Sequence, residues 1–509
     1  MRRALYRWGF ALCLGLCLLL CACKTSESAE PPKKNVEGAA VELPDSISLP
    51  YVKTASFDPL TTTSRVNFEL CALLYDPLVL LDETMRPIPF LAQSIETEGL
   101  RVTVTLRPNV RFQDGTPLTA ADVAATFSRI LEGGTHYDAR LRDVAAVEQL
   151  DETSLLITLR RENSLFASLL EIPIVKQGSA GEGSTSVGSG KYRFDALNAC
   201  LVRNEDWIGG RIPLTEISLV DAPDQQSAAF SLSAGNLSLM TTFGSKLTLN
   251  SLRSVTNNLV FLGVNPSCAA LSTAPLRRAL SAVLSRSTLL DDNVASGGFV
   301  ALSPINPRWF LFDSAAVSRG TDPSYAETAL REEGYLLNEE TGLLTSTSGK
   351  TLSLRLLYNG ANAGRAALAL SIVNQLTDFG YAVTPVEASA AEYPRLVASG
   401  SFDLYLGEVR LTPDMNLSPL VETGGSLNTA RFSSAALDEA LRAMKSASAE
   451  QLEAAAFAMI EALDRETPVI PLYFSIEELV LGEPALETVL APTPTNPLAG
   501  LEQLTLSGE

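Results

Sequence analysis

Residues 100–131 carry two hydrophobic patterns in succession, first with the period of a strand and then with the period of a helix. In LRVTVTL, apolar and polar residues alternate, which predicts a half-buried strand. In AADVAATFSRIL, apolar residues recur at helical spacing, with Thr119 at the N-cap position and the acidic Asp122 in the first turn. The segment therefore predicts a strand, a turn at its DG pair and a capped amphipathic helix.

Strand and helix patterns alternate in part of the second half of the chain. Spacing of this kind predicts a parallel sheet with right-handed crossovers. The first half differs, because hairpin-like strands at 102–106 and 155–159 predict mixed α+β packing. The predicted elements of the second half are strands 352–358, 381–386 and 403–409, and helices 365–379, closed by Gly380, and 390–399, closed by Gly400.

The N-terminus has the features of a bacterial lipoprotein signal. Three arginines precede a short apolar stretch at 10–20, which is too short to span a bilayer comfortably. The following LCAC is typical of a lipobox, which makes residues 1–22 the signal peptide and Cys23 the lipidated mature N-terminus. The alternatives are an ordinary signal peptide cleaved elsewhere, an uncleaved anchor, and lipidation at Cys21.

Residues 23–43 are polar and rich in proline, glutamate and lysine, with too little apolar surface to fold. We expect them to form a flexible tether with a reach of about 25 Å. No later apolar run is long enough to form a membrane helix. The sequence thus predicts a protein in the cell envelope, held to the membrane by lipid and facing the extracytoplasmic side.

Charge and composition narrow the choice of partners. The formal net charge is −19, and loss of residues 1–22, with three arginines and no acid, would make it −22. Such a surface repels nucleic acid and anionic lipid, so we exclude both as binding partners. The acidity is typical of a soluble protein, and attraction of cationic ligands is the alternative. The chain of 509 residues, 46% of them hydrophobic, is long enough for two or three domains.

Residues that commonly carry catalysis or bind metals are sparse. His136 is the only histidine, so a multi-histidine metal site is excluded and a Ser-His-Asp triad would have to use this residue. We expect His136 to be a solvated loop residue. Cys71, Cys200 and Cys268 remain after processing and lipidation, without a CxxC pair, so we expect buried free thiols, with a disulfide between two of them as the alternative. We therefore expect no catalytic residue, metal or cofactor.

The amino-acid sequence of residues 100–131, with its order of strand, turn and helix, resembles that of family 5 of the bacterial extracellular solute-binding proteins, the oligopeptide-, dipeptide- and nickel-binding type. Other segments similar to the family follow in the same order along nearly the whole mature chain. Each is weak by itself, and their shared order carries the resemblance. These segments are LLYDPLVLLDE at 73–83, PFLAQSIE at 89–96, GSGKYRF and LVRNEDWIGG within 188–210, APLRRALSAVLSR at 274–286 and TPVIPLYF at 467–474.

The resemblance implies an α/β, two-lobed periplasmic-binding-protein fold with a hinge. The two chain crossings between the lobes would be NNLVFLGVN at 257–265 and VIPLYFSI at 469–476. Lobe I, with mixed α+β packing, would comprise residues 44–260 plus 472–509. Lobe II would comprise residues 261–471 and contain the βαβ parallel sheet.

The family also explains GSGK at 188–191, which is superficially similar to a phosphate-binding loop. Such a loop needs a glycine five positions before Gly190 and Ser or Thr after the lysine, where this chain has Thr185 and Tyr192. The resemblance instead implies a turn that enters a strand.

The candidate ligand contacts of lobe II follow from sheet geometry, because ligands bind beyond the carboxyl ends of the strands in an open parallel sheet. The strand at 403–409 places Glu408, Arg410 and Asp414 at that edge. Peptide-binding members of the family typically carry Trp-x-x-Asp here, whereas this chain has EVRL, which lacks both residues. Glu408 or Asp414 remains a candidate anchor for an amine; solvated charges after a strand are the alternative.

The resemblance places the other side of the site in the loop after Asp58. Thr63, Ser64 and Arg65 offer hydroxyls and a guanidinium that suit a carboxylate or a polar backbone. A surface ion pair is the alternative for Arg65. Asn428 is a further polar candidate. Trp309 and Tyr473 are candidates for the cleft wall, with the hydrophobic core as their alternative.

Together these features predict a lipid-anchored substrate-binding protein of an ABC importer, which captures a short peptide or a similar polar solute. Its partners would be the ABC permease and ATPase subunits, and we expect a monomer. A surface peptide receptor or chaperone for signalling without transport is the first alternative function. An envelope hydrolase is the second.

Overall fold

The strand and the capped helix of residues 100–131 form as their hydrophobic pattern predicts. The computed structural model describes residues 46–179, 186–243, 249–295, 297–317 and 320–504, which belong to one compact unit. The predicted signal peptide, the tether at 23–43 and Cys23 lie outside the described residues. The Thr119 backbone N–H donates to the Asp122 carboxylate (2.9 Å), which closes a capping box at the start of the helix.

The helices carry the following bounds. They are α1 (Arg65–Leu74), α2 (Ala120–Leu131), α3 (Gln225–Ser233), α4 (Ala274–Val283), α5 (Arg286–Asn293), α6 (Pro323–Glu332), α7 (Ala363–Phe379), α8 (Tyr393–Ser399), α9 (Ser418–Val421), α10 (Ala435–Lys445) and α11 (Leu452–Glu466). Short 3₁₀ turns occupy Phe166–Leu170, Ala269–Leu271, Ser314–Ala316, Pro484–Thr488 and Leu501–Gln503.

The strands are β1 (Ser48–Tyr51), β2 (Val79–Leu81), β3 (Pro87–Pro89), β4 (Ala92–Glu98), β5 (Arg101–Leu106), β6 (Val144–Gln149), β7 (Ser154–Leu159), β8 (Tyr192–Asp195), β9 (Cys200–Arg203), β10 (Glu216–Asp221), β11 (Leu239–Thr242), β12 (Ser251–Val264), β13 (Gly298–Val300), β14 (Tyr335–Asn338), β15 (Leu343–Ser346), β16 (Ser353–Asn359), β17 (Ala382–Ala388), β18 (Leu404–Arg410) and β19 (Val469–Leu481).

The sheets of the first half are mixed, as predicted. One has the order β1-β10-β9-β8, in which β1 and β10 are parallel, and another has the antiparallel order β4-β5-β7-β6. The strands predicted to be hairpin-like, β5 and β7, pair directly, but β6 lies between them in sequence, so they do not form a hairpin. A central sheet has the order β11-β19-β12-β18-β16-β17, with β13 added to β19.

The parallel βαβ arrangement predicted for the second half is confirmed. Strand β16 pairs in parallel with both β17 and β18, and helices α7 and α8 make the crossovers. Gly380 and Gly400 end these helices in the left-handed conformation (φ 111° and 71°), which glycine adopts without steric cost. Helix α8 begins three residues later than predicted, at Tyr393, because Pro394 is tolerated in the first turn but not deeper in a helix.

The two predicted crossings are the longest strands of the central sheet. Strands β12 and β19 pair antiparallel along most of their lengths. Their register shifts between Val255 and Leu259, which lie opposite Ile476 and Phe474. Three residues of β12 therefore face a single residue of β19, which interrupts the regular ladder at this point.

Three large hydrophobic cores and one small cluster, around Leu232 and Met240, occur in the described part of the chain. The first core contains Val104 and Phe127 together with the C-terminal leucines from Leu479 to Leu504. The second core lies on one face of the central sheet, under α4, α5 and α7, and draws all its buried members from Val260 to Tyr473. The third core lies on the other face, largely under α10 and α11. The lobe boundaries given above stay a prediction.

The GSGK segment forms the predicted turn into strand β8. The Gly190 N–H donates to the Leu74 carbonyl (3.0 Å), so this turn lies directly against the C-terminal end of α1. A Cβ atom at Gly190 would stand 2.3 Å from the Leu74 carbonyl carbon. Gly190 is therefore required by close backbone packing. The neighbouring Lys191 forms an ion pair with Glu502 (3.1 Å).

Candidate functional site

The carboxyl end of β18 places two predicted site residues on one face of the central sheet. Side chains alternate along this strand, and Leu404 and Leu406 are buried in the second core. Glu408 and Arg410 continue the same face beyond the end of the buried run, where both are exposed. Both residues therefore lie at the sheet edge where they were predicted.

Glu408 is held by an arginine that the sequence reasoning missed. Arg365, in the first turn of α7, donates from Nη2 to Glu408 Oε2 (2.7 Å) and also bonds the Tyr473 hydroxyl. The Glu408 side chain is 45% exposed, so its carboxylate has room for a further partner. Helix α7 follows β16, the neighbour of β18, so its N-terminus lies at the same sheet edge. This position of α7 could have identified Arg365 as a site residue from the sequence.

The other predicted segment begins helix α1. Thr63 is exposed, and Ser64 is the N-cap, whose hydroxyl accepts from the Asn67 N–H (3.2 Å). Arg65, 40% exposed, is shared by two carboxylates, with 2.8 Å from its Nε to Glu69 Oε1 and a second ion pair to Glu477 of β19. The surface ion pair considered for Arg65 is therefore present.

Aromatic and acidic neighbours complete the surroundings of Arg65. Its guanidinium carbon lies 3.9 Å from the centroid of the Phe243 ring. Glu69 is almost fully buried, and its second oxygen accepts from the Thr241 hydroxyl. The pKa of Glu69 is raised to about 7, and burial is the largest cause. Of the smaller effects, Arg65 and the hydrogen bond from Thr241 lower this pKa, whereas Glu477 raises it. A buried carboxyl with a raised pKa therefore lies beside Arg65.

Arg410 and Asp414 line one cavity of about 70 Å³. Arg140 and Arg142 contribute to the same cavity from the first half of the chain. Asp414 is 7% exposed, and its two oxygens accept from the Thr412 hydroxyl (2.5 Å) and the Asn163 amide (2.9 Å). Burial raises its pKa, and these hydrogen bonds lower it. Asp414 thus acts mainly as a link between two segments, and we leave it out of the proposed ligand contacts.

Other predicted residues have internal partners. The Asn428 amide donates to the Glu422 and Phe432 carbonyls and accepts from the Phe432 N–H, so it holds a turn. Trp309 is 2% exposed in the third core, and the Tyr473 ring is buried in the second. His136 is exposed, and its Nε2 lies 2.8 Å from the Thr62 carbonyl oxygen.

Cysteines and acidic groups offer no metal or disulfide chemistry in the described ranges. Cys71 and Cys200 are buried free thiols, and Cys268 is a half-buried one. Among the described residues, no three His, Cys, Asp or Glu side chains are grouped so that they could hold a metal ion. Within the same part of the chain, no helix is both long and apolar enough to cross a bilayer.

Comparisons with known proteins point to one family. The family model described as "Bacterial extracellular solute-binding proteins, family 5 Middle" matches residues 86–426. The oligopeptide-binding protein AppA of Bacillus subtilis (strain 168) is 25% identical over 403 residues, which cover 72% of this chain and 73% of that protein. The glutathione-binding protein GsiB of Escherichia coli (strain K12) is 24% identical over 458 residues, covering 84% and 87%.

The fold is likewise shared with solved structures. The ABC transporter substrate-binding protein CtaP of Listeria monocytogenes superposes with a TM-score of 0.72 at 19% identity, covering 91% of this chain and all of that one. At this identity the match establishes the fold, which is similar to that of the periplasmic binding proteins. The predicted α/β fold class is therefore confirmed.

Proposed function

Because the chain belongs to family 5 of the bacterial extracellular solute-binding proteins, we propose that it captures a short peptide or a similar polar solute for an ABC importer. The solute would bind between the two predicted lobes and pass to a membrane permease powered by an ATPase. Binding would be reversible and would involve no covalent step. The oligopeptide- and glutathione-binding relatives support a peptide-like ligand.

The interrupted ladder between β12 and β19 is the observation that carries this proposal. At the interruption, the Thr256 hydroxyl donates to the Ser475 carbonyl (2.9 Å), and the Asn306 amide donates to Asn257 Oδ1 (2.7 Å). Side-chain bonds thus replace part of the ladder there, and a paired strand bends more readily at such an irregularity than along its regular parts. Glu477 lies two residues beyond Ser475, next to the candidate cleft, so bending here would move the charged groups around the solute.

Two exposed charges are suited to the polar ends of a peptide. Glu408 has one partner, Arg365, and space for an amine of the solute. Arg65, already shared by Glu69 and Glu477, is held in place and would donate to backbone carbonyls of the solute. The ion partners fix both side chains before the solute arrives, which lowers the entropy lost on binding.

Replacing Glu408 or Arg65 by Ala is expected to weaken peptide binding by about 1–3 kcal/mol, because an amine or a carbonyl of the solute then loses its hydrogen bond to a charged side chain. Isothermal titration with a pool of short peptides measures the change. Glu439→Ala, which removes an exposed helix charge paired with Arg442, serves as the control and should bind as the parent does. Unchanged affinity in both variants would show that Glu408 and Arg65 are not ligand contacts.

Mass spectrometry of the peptides recovered after incubation should find them intact. Cleaved peptides would overturn the binding function in favour of hydrolysis.

We also propose that Cys23 carries the lipid anchor and that residues 23–43 tether the protein to the membrane. The Cys23→Ala variant is expected to leave the membrane fraction, because the acyl chains that hold the protein there can no longer be attached. Fractionation of cells followed by mass measurement of the mature N-terminus checks this. Ser26→Ala, three residues along the tether, is the matched control and should stay with the membrane. Membrane retention of the Cys23→Ala protein would contradict the anchor.

A further inference from the structure

We propose that the cavity beyond the carboxyl end of β18 is a subsite for a carboxylate of the bound solute, with Arg410 as the residue that holds it. This inference rests on the proposed function and narrows the ligand to solutes that carry a negatively charged group. It also assigns a role to Arg140 and Arg142, which the sequence reasoning did not identify.

The cavity lies between two parts of the chain that are far apart in sequence. One wall comes from residues 139–169 and the other from residues 409–427. Its volume of about 70 Å³ has room for a few water molecules or a group of carboxylate size, but not for a whole peptide. Such a cavity would hold one end of a solute whose remainder lies in the wider cleft.

Three arginines line this small space. Arg140 is fixed by Glu171, donating to the Glu171 carbonyl oxygen (2.6 Å) and its carboxylate (3.3 Å). Arg142 is exposed at the same wall. Arg410 lines the cavity from the strand end. This grouping occurs in a protein with 58 acidic and 39 basic residues, where arginines usually find carboxylates nearby.

The Arg410 side chain differs from those of Arg65, Arg140 and Arg365 in having no partner. Among the residues that the structure describes, its side chain makes no ion pair and no hydrogen bond, whereas Arg65 and Arg365 are each engaged. Partial desolvation by the cavity walls and the neighbouring Arg140 both lower the pKa of Arg410, although Tyr137, Glu477 and Glu171 raise it. An anion bound between these cations would relieve their repulsion.

The carboxylates of the cavity leave Arg410 available. Both oxygens of Asp414 are occupied by Thr412 and Asn163. Asp143 also lines the cavity, and it offers a contact for an amine close to the bound carboxylate. The planar fork of Arg410 can donate two parallel hydrogen bonds to a carboxylate, which is the geometry that this pair prefers.

The test compares two pools of tripeptides that have the same uncharged side chains and differ only at the C-terminus. One pool has free carboxylates and the other has carboxamides. We expect the parent protein to bind the free-acid pool at least about tenfold more tightly, because a guanidinium–carboxylate contact is lost with the amide. Arg410→Ala should remove this preference, and Arg410→Lys, which keeps the charge without the fork, should retain part of it.

Arg331→Ala is the matched control, since it removes an exposed arginine near the end of α6 and should keep the full preference. Equal binding of the two pools, or a preference that persists in Arg410→Ala, would overturn the subsite and leave the proposed function standing. Binding of neither pool would overturn the peptide function instead. In that case glutarate is the second probe: Arg410-dependent binding of this dicarboxylate would support the subsite, and no binding would overturn it too.

Discussion

Replacing Gly190 by Ala is expected to lower the free energy of unfolding by about 3 kcal/mol or more, because the new methyl group has no space. Its carbon would stand 2.3 Å from the Leu74 carbonyl carbon, 2.5 Å from the Tyr75 nitrogen and 2.7 Å from the Leu73 carbonyl oxygen. All three are backbone atoms, so the clash is relieved only if the turn moves away from α1. Urea denaturation followed by circular dichroism measures the change.

Gly364→Ala provides the matched control for this substitution. Gly364 is the second residue of α7, and a Cβ atom there would meet its nearest neighbour, Asn362 Oδ1, at 3.5 Å. Alanine is a better helix former than glycine, so we expect this variant to be as stable as the parent or more stable by about 0.5 kcal/mol. A midpoint for Gly190→Ala equal to that of Gly364→Ala would contradict the close packing described for the GSGK turn.

The second large effect is a loss of stability with rising pH that depends on Glu69. Burial raises the pKa of this carboxyl from 4.5 to about 7 in the folded protein, so between these values the folded state keeps a proton that the unfolded chain has released. Folding then takes up a proton, and stability falls as the pH rises through 7. The full loss is about 3 kcal/mol between pH 4 and pH 8, from 1.36 kcal/mol for each unit of pKa shift. Scanning calorimetry at intervals over this range measures it.

Glu69→Gln is expected to remove this dependence, because an amide resembles the protonated carboxyl and does not titrate. The charged and polar groups that face Glu69 are Arg65 on its own helix, Glu477 on β19 and Thr241 on β11, and all remain in the variant. Other carboxyls also contribute to the total, among them Asp76, whose pKa burial raises to about 6, so the difference between variant and parent is the quantity to compare. Glu453→Gln, on an exposed position of α11, should follow the parent. Parallel curves for the parent and Glu69→Gln would show that Glu69 is ionised when folded.

Local patterns were sufficient to predict several of the elements that build the fold. The alternation in β5, the N-cap of α2 and the glycines that end α7 and α8 depend on neighbours in sequence, and all form as predicted. Strands β12 and β19 extend beyond the predicted crossings, where they pair with each other and β19 also pairs with β11. Pairing between distant segments leaves little signal in the hydrophobic period of either one.

The candidate site was harder to predict for the same reason. Glu408 and Arg410 follow from the position of one strand end, so sequence reasoning found them. Glu477 and Arg365 reach the site from other elements, and only the tertiary structure brings them within bonding distance of Arg65 and Glu408. Sequence reasoning placed Asp414 at the sheet edge as a candidate ligand contact, but its hydrogen bond to Asn163 crosses 251 positions of sequence and was not predictable.

The composition of the first core sets an order for folding. This core contains Ile47 near the start of the described chain and is completed by leucines as far as Leu504, whereas the buried members of the second core all come from the continuous stretch Val260 to Tyr473. During synthesis and export the second core can therefore close while the earliest strands still expose apolar surface. Closure of the first core depends on contacts of very large sequence separation, which form slowly and leave the chain open to aggregation and proteolysis meanwhile. Truncations near the C-terminus should thus destabilise the first core, although most of this core is built from residues that are synthesised first.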